Sequence, residues 1–225
     1  MDKIRVKVNI VSNPYNIPQE RLFRMAARIN PKRSFLFVSK ILGKHIPVPP
    51  HIPLIGGIAL ASRYLEEVYD IYTYQREDII SALKTWKNGK EIYKKFKKNP
   101  FELPEKTLFI GFAETATALG HSVFNSFRGD GYYIHSTRDI IEDFEEVITF
   151  EEEHSHATSH KIYLKDFPIF KSNCPIVFID DEITTGKTIL NIIESIHKDY
   201  PRKNYNVITI LDWSSEKDKR RFKDL

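Results

Sequence analysis

The sequence predicts an α/β protein with a mainly parallel, twisted sheet flanked by helices. Two segments with the same order of features predict this class. In each, a short apolar strand ends in a loop of small or polar residues that leads into a helical pattern; one begins at Leu108 and the other at Ile176. Strands that alternate with helices form parallel sheets, which bind ligands at the carboxyl ends of their strands. With 225 residues, 41% of them hydrophobic, the chain can bury the core that this fold needs.

The first 106 residues are predicted to form an α-rich segment that precedes a core domain over residues 107–225. Its predicted elements are an edge strand at 3–11, helices near 18–29, 57–69 and 76–98, an apolar segment at 35–42 and a proline-rich turn at 47–53.

The unit that begins at Leu108 ends its strand at Gly111 and continues into small residues and an alanine-rich helix. Backbone N–H groups at such a turn can bind an anion. The alternative is a Rossmann-like unit in which Thr115 merely caps the helix.

A further strand is predicted at 132–138, with Arg138 at its end. A guanidinium group forms paired hydrogen bonds with phosphate oxygens, so Arg138 is a candidate anion ligand. A surface charge is the alternative.

Residues 139–160 form a long predicted connection that is rich in acidic residues and histidines. Connections of this length inside a compact domain are typical of mobile lids. His154 and His156 could exchange a proton near neutral pH, and with His160 they could instead converge on a zinc ion. A solvated loop is the third interpretation.

The unit that begins at Ile176 carries the most specific pattern. Its apolar strand at 176–179 runs into Asp180 and Asp181, and a hydroxyl-rich turn then opens a helix. Paired carboxylates can accept hydrogen bonds from ribose hydroxyls or bind Mg²⁺. The turn suits a phosphate, because it combines helix N–H groups with the side chains of Thr184, Thr185 and Thr188 and with the small Gly186.

Two other interpretations of this unit are weaker. Gly186-Lys187-Thr188 matches the end of a P-loop, but Asp181 stands where that motif needs glycine, and a carboxylate there would repel the phosphate. An ordinary strand-to-helix connection, with Asp180 or Asp181 as a helix cap, explains one acidic residue but not the pair.

The motif at 177–188, VFIDDEITTGKT, resembles the phosphoribosyl-pyrophosphate (PRPP) binding motif of type I phosphoribosyltransferases. The resemblance implies that family's fold, with residues 1–106 as a hood over the base. It implies that Asp180 and Asp181 contact the ribose and bind the metal. The other PRPP-binding residues that it implies are Glu182, Thr184, Thr185, Gly186, Lys187 and Thr188. Glu182 departs from the family pattern, in which most members have an apolar residue.

The same resemblance implies a pyrophosphate loop at Ala113, Glu114, Thr115 and Ala116, with Arg138 as a further ligand. The Glu114 carboxylate would repel pyrophosphate unless Mg²⁺ lies between them or the side chain points at another group. The family carries a flexible catalytic loop at the place of residues 139–160. The catalytic residues expected are therefore Asp180, Asp181, Arg138, His154 and His156.

Three segments together, at 111–117, 151–158 and 180–188, narrow the resemblance to an orotate-phosphoribosyltransferase-like subfamily of bacterial tellurium-resistance and stress-response gene clusters. The implied reaction is Mg²⁺-dependent transfer of a phosphoribosyl group from PRPP to an orotate-like or nucleobase-like nitrogenous base, or the reverse. The alternatives are a non-catalytic PRPP-sensing regulator that binds nucleic acid, and a metal-dependent phosphoesterase or hydrolase built on the histidines.

The charge and the cysteine content limit which partners and which cell compartment the sequence predicts. The net charge of +4 comes mainly from basic clusters at 84–98 and 217–223, which predict solvated helix faces rather than a nucleic-acid site. The single cysteine, Cys174, fits a reducing cytosol. The N-terminus does not resemble a signal peptide, and the apolar stretch at 52–61 is too short to cross a membrane. A homodimer and a partner domain encoded alongside are further expectations.

Overall fold

The computed structural model describes residues 5–29, 34–142, 144–150, 159–164 and 168–223. Its helices are α1 (Gln19–Leu22), α2 (His51–Tyr69), α3 (Arg76–Thr85), α4 (Gly89–Phe96), α5 (Thr115–Phe124), α6 (Pro168–Lys171), α7 (Lys187–Asp199) and α8 (Glu216–Lys223). Its strands are β1 (Phe23–Ala27), β2 (Phe35–Ser39), β3 (Phe101–Glu102), β4 (Thr107–Gly111), β5 (Phe127–Arg128), β6 (Gly131–His135), β7 (Glu145–Phe150), β8 (His160–Leu164), β9 (Ile176–Ile183) and β10 (Tyr205–Asp212).

The centre is a four-stranded parallel sheet in the order β10-β9-β4-β6. All five residues of β4 are buried, as are the first four of β9. Strands that are apolar on both faces need helices on both faces, because neither face can then be left in water. The predicted α/β class with a parallel sheet flanked by helices is confirmed.

Each face of the sheet has its own apolar core. On one face, Val177 and Ile179 of β9 pack with residues of α2, α3 and α5. On the other, Ile176 and Phe178 pack with α7 and with the β7–β8 hairpin. Successive residues of one strand point to opposite faces, so β9 contributes alternately to both cores.

Helix α2 joins the N-terminal segment to the sheet through a close contact with α5. A Cβ atom at Gly57 would lie 2.1 Å from the Ser122 Oγ, so only glycine permits this approach. The Ser122 hydroxyl in turn contacts the carbonyl oxygens of Pro53 and Leu54 at 3.1 and 3.2 Å. The division at residue 106 into hood and core stays a prediction.

Several predicted elements of the N-terminal segment are wrong. Residues 5–11 form no strand, and the helix expected at 18–29 is a single turn, α1, followed by β1. Strand β1 pairs antiparallel with β2, and the aromatic rings of Phe23 and Phe37 meet edge to face at 5.1 Å. This tertiary packing overrides the helical preference of the local sequence. The expected helix at 76–98 is divided into α3 and α4, because Trp86 and Asn88 adopt left-handed backbone angles.

The connection predicted over 139–160 is also partly wrong, because it contains strand β7 and the start of β8. These strands form an antiparallel hairpin in which Phe150 pairs with His160. Ile148, Phe150 and Ile162 are buried in the core beside α7, so the hairpin is packed against the sheet. None of the helices within the described residues is long and apolar enough to cross a membrane.

Candidate functional site

The two predicted ligand loops lie next to each other at one edge of the sheet. Strands β4 and β9 are neighbours in register, with Gly111 opposite Ile179. The Phe112 N–H donates to the Ile179 carbonyl at 3.1 Å, and the Ser136 N–H donates to the Gly111 carbonyl at 3.0 Å. The segments that follow β6 and β4 therefore leave the sheet side by side, next to residues 180–183 of β9, at the carboxyl edge where parallel sheets bind ligands.

The acidic pair lies within β9 and not after it. The strand continues to Ile183 because β10 pairs with it as far as Asp212. Asp180, Asp181 and Glu182 follow one another in the strand, and each is half-buried. The Asp180 Oδ1 accepts a hydrogen bond from the Asp181 N–H at 2.9 Å.

The interpretation of these aspartates as helix caps is wrong. Helix α7 begins only at Lys187, with Gly186 as its N-cap residue. The turn at Thr184 and Thr185 separates the carboxylates from the helix, and the Lys187 N–H donates to the Thr185 Oγ1 at 3.3 Å. The two carboxylates therefore do not cap α7.

Gly186 permits the tight start of α7. Its φ is +73°, which L-residues with a side chain rarely adopt, and a Cβ there would lie 2.4 Å from the Phe222 ring of α8. The following Lys187 is exposed and Thr188 is half-buried. The turn from Thr184 to Thr188 therefore combines hydroxyl groups, a lysine and the N-terminus of a 13-residue helix, a set that suits a phosphate.

The small-residue loop after β4 is formed by Ala113 and Glu114, joined by a cis peptide bond, before α5 begins at Thr115. The Ala113 N–H donates to the Ser136 Oγ at 2.9 Å. Glu114 is exposed, so its carboxylate points to solvent. The Ala116 N–H donates to the Phe112 carbonyl at 3.1 Å, within the first turn of the helix.

The interpretation of Thr115 as only a helix cap is wrong as well. Glu114 is the N-cap residue and forms no capping hydrogen bond through its side chain. The Thr115 Oγ1 instead accepts a hydrogen bond from the Lys44 Nζ. Thr115 therefore connects this loop to the N-terminal segment.

Lys44 and His45 are neighbours of the site that no motif in the sequence indicates. They belong to the loop between β2 and α2. Burial raises the pKa of the Asp181 carboxyl group above its ordinary value, while the positive charges of Lys44 and His45 oppose that rise. Lys44 thus acts on both predicted ligand loops, through a hydrogen bond to Thr115 and through its charge on Asp181.

Arg138 lies beyond the end of β6, in a segment held against β8. Thr137 and Lys161 form an isolated bridge with two backbone hydrogen bonds, of 2.9 and 2.8 Å. The half-buried Arg138 donates from Nε to the His160 Nε2 at 3.3 Å. Arg138 is therefore linked through His160 to Ser136, which contacts the loop after β4. Its role as an anion ligand stays a prediction.

The predicted histidine cluster is only partly described. His154 and His156 lie outside the described residues. His160 is 2% exposed, and its Nδ1 lies 3.0 Å from the Ser136 Oγ while its Nε2 faces Arg138. Both ring nitrogens are thus engaged, which does not fit a zinc ligand. Within the described parts of the chain no group of three or more metal-binding side chains converges.

The chain matches a model of a known protein family. A family model described as Phosphoribosyl transferase matches residues 22–225. No curated protein matches the chain.

Two solved structures similar to this chain are adenine phosphoribosyltransferases. That from Saccharomyces cerevisiae is 13% identical, with a TM-score of 0.49, and the match covers 91% of this chain and 90% of that chain. That from Leishmania tarentolae is 14% identical, with a TM-score of 0.44, and 88% of each chain is covered. Since the family match extends over most of the sequence, the chain belongs to the phosphoribosyl transferase family and is a pentosyltransferase enzyme.

Proposed function

We propose that the chain transfers a 5-phosphoribosyl group between PRPP and a nitrogenous base, with Mg²⁺ as cofactor. One observation carries the proposal: the loop after β4 begins beside the acidic pair of β9, and β9 then runs on into the threonine-lined turn. A pentose with a phosphate at one end and pyrophosphate at the other needs these three features close together. Membership of the family supports the same reaction.

The roles of the residues follow from their positions. The turn from Thr184 to Thr188 would bind the 5-phosphate at the start of α7. Asp180 and Asp181 would accept hydrogen bonds from the ribose hydroxyls. The loop at Ala113 to Ala116 would bind pyrophosphate through the N–H groups of Glu114 and Thr115, together with the Arg138 guanidinium. The N–H groups of Ala113 and Ala116 instead hold the loop in place through the Ser136 Oγ and the Phe112 carbonyl.

The chemical step breaks the bond between C1 of the ribose and pyrophosphate ahead of bond formation to the base nitrogen. Positive charge then develops on the ribose, close to Asp180 and Asp181, and negative charge develops on the leaving group, close to Arg138. Fixed charges of opposite sign at these two places stabilise the transition state. Carboxylate oxygens are ligands that Mg²⁺ prefers, so Asp180 and Asp181 would hold the ion, which would neutralise charge on the pyrophosphate.

Substitution of the acidic pair tests this assignment. Replacement of Asp180 and Asp181 with asparagine should lower pyrophosphate release by about 100-fold or more, because neutral amides do not stabilise the developing cation. The assay uses PRPP, Mg²⁺ and a panel of bases, and circular dichroism checks that the variant folds. Asp199→Asn, an exposed change at the end of α7, is the matched control. Full turnover by the folded double variant would refute the assignment.

The resemblance to the family motif supports several finer proposals. They are an orotate-like acceptor, the subfamily of tellurium-resistance and stress-response clusters, a cytosolic location, a homodimer and a partner domain. Proton transfer by His154 and His156 also stays a prediction. The PRPP-sensing regulator remains the rival function; it would bind PRPP and release no pyrophosphate with any base.

A further inference from the structure

His160 is a buried histidine that connects three separate segments of the site. It is the first residue of β8, and its ring stacks on Phe150 with the ring centroids 5.2 Å apart. Its Nδ1 lies 3.0 Å from the Ser136 Oγ, and its Nε2 lies 3.3 Å from the Arg138 Nε. Ser136 is fully buried, so solvent does not compete for this contact.

The hydrogen-bond partners define the tautomer of the ring. An arginine Nε–H can only donate, so the His160 Nε2 must accept and carries no proton. The neutral ring then holds its proton on Nδ1 and donates it to the Ser136 Oγ. The same oxygen accepts the Ala113 N–H at 2.9 Å. An unbroken path of hydrogen bonds therefore runs from Arg138 through His160 and Ser136 to the loop after β4.

Packing alone does not explain a histidine at this position. One face of the ring stacks on buried Phe150, which belongs to the apolar core beside α7. A polar ring in such surroundings costs free energy of folding unless its nitrogens are bonded, and phenylalanine would fill the space without that cost. The His160 Nε2 bonds with Arg138, which is a predicted pyrophosphate ligand. The Nδ1 bonds with Ser136, which also holds the predicted pyrophosphate loop at Ala113.

We infer that His160 is a positioning residue that sets Arg138 and the Ala113 loop in one geometry for pyrophosphate. The inference rests on the proposed function, because it assigns pyrophosphate to that loop and to Arg138. His160 does not contact the ligand in this arrangement. It acts through Arg138 on one side and through Ser136 on the other.

The test compares two ligands of the complete chain by calorimetry with Mg²⁺ present. Pyrophosphate uses the positioned groups, whereas ribose 5-phosphate uses only the acidic pair and the turn at Thr184 to Thr188. His160→Phe should weaken pyrophosphate binding by about 10-fold to 100-fold, the usual cost of losing a supporting hydrogen bond at a site, and leave ribose 5-phosphate binding unchanged. The KM for PRPP should rise in parallel.

Two conservative variants separate the two hydrogen bonds. His160→Gln can place an amide oxygen near the Nε2 position and should recover part of the loss by accepting from Arg138. His160→Asn can reproduce only the contact with Ser136 and should recover less. Exposed His197 supplies the control, and His197→Phe should change neither affinity. Because Gln and Asn keep a polar group at this place, they also serve if His160→Phe does not fold.

The outcomes distinguish the inference from the proposed function. Wild-type affinity for pyrophosphate in all three His160 variants would overturn the inference alone. Equal loss of pyrophosphate and ribose 5-phosphate would overturn it too, since it would show a general structural role. A folded wild-type chain that binds neither ligand would overturn the proposed function and the inference with it.

Discussion

At the scale of single residues, Asp181 shows how the surroundings of the site set its chemistry. Its carboxylate is half-buried at the sheet edge, and burial disfavours the charged form that a ribose-binding group needs. The resulting rise in the Asp181 pKa is opposed by the charges of Lys44 and His45. The loop between β2 and α2 therefore helps to keep Asp181 ionised.

A change at Lys44 should be visible in the pH profile. PRPP binding needs ionised Asp181, so the acidic limb of kcat/KM for PRPP should lie above the ordinary carboxyl pKa of about 4. Lys44→Met removes a charge that lowers this pKa, so the limb should move to higher pH. Lys44→Arg keeps the charge and should leave the limb in place. A limb at the same pH in Lys44→Met would show that this charge does not act on Asp181.

At the scale of elements, the contact between α2 and α5 determines where the N-terminal segment lies on the sheet. Both helices pack on the face of the sheet that carries Val177 and Ile179, and α5 begins at the loop proposed to bind pyrophosphate. The helices approach closely at Gly57 and Ser122 because no Cβ stands between them.

Gly57→Ala should destabilise this contact. The new methyl group would lie 2.6 Å from the backbone carbonyl carbon of Ser122, so the helices must separate. Overpacking of this kind costs about 1–3 kcal/mol, which exceeds the gain from placing alanine in a helix. Urea unfolding measures the change. Ser122→Ala, which loses hydrogen bonds but leaves the helix approach open, is the companion variant and should cost about 1 kcal/mol. Unchanged stability of Gly57→Ala would mean that the helices are not this close.

At the scale of the whole molecule, one buried carboxylate links the N-terminal coil to two helices. The Glu66 side chain is 1% exposed and accepts hydrogen bonds from the Tyr15 hydroxyl at 2.8 Å and from the Arg76 Nε at 2.9 Å. Burial raises the pKa of Tyr15 to about 12. The network therefore ties residues before α1 to α2 and α3 and depends on a protonated tyrosine.

This linkage predicts loss of stability in alkali. The unfolded chain releases the Tyr15 proton near pH 10, whereas the folded chain retains it until about pH 12, so the free energy of unfolding falls across that window. The Tyr15 contribution to the fall from about pH 9 to about pH 11 is about 1.4 kcal/mol. Tyr15→Phe should show a smaller fall by that amount in urea unfolding, whereas exposed Tyr72→Phe should behave as wild type. An equal fall in Tyr15→Phe and wild type would contradict the linkage.

Local sequence was sufficient for the centre of the fold and for the backbone course of the two predicted ligand loops. The buried strands at Leu108 and Ile176, and the motif that includes Asp180 and Gly186, are contiguous stretches whose residue types suit one backbone path. Strand, turn and helix start follow one another within each unit, so a periodic pattern and a few small residues predict them.

Tertiary structure alone decided which distant residues meet at the site. Lys44 reaches Thr115, 71 positions away, and His160 reaches Ser136, 24 positions away. The hairpin of β1 and β2 likewise formed against local helical spacing because its aromatic rings pack with Trp213. The physical reason is that these contacts depend on the packing of whole elements against the sheet, which no short window of sequence encodes.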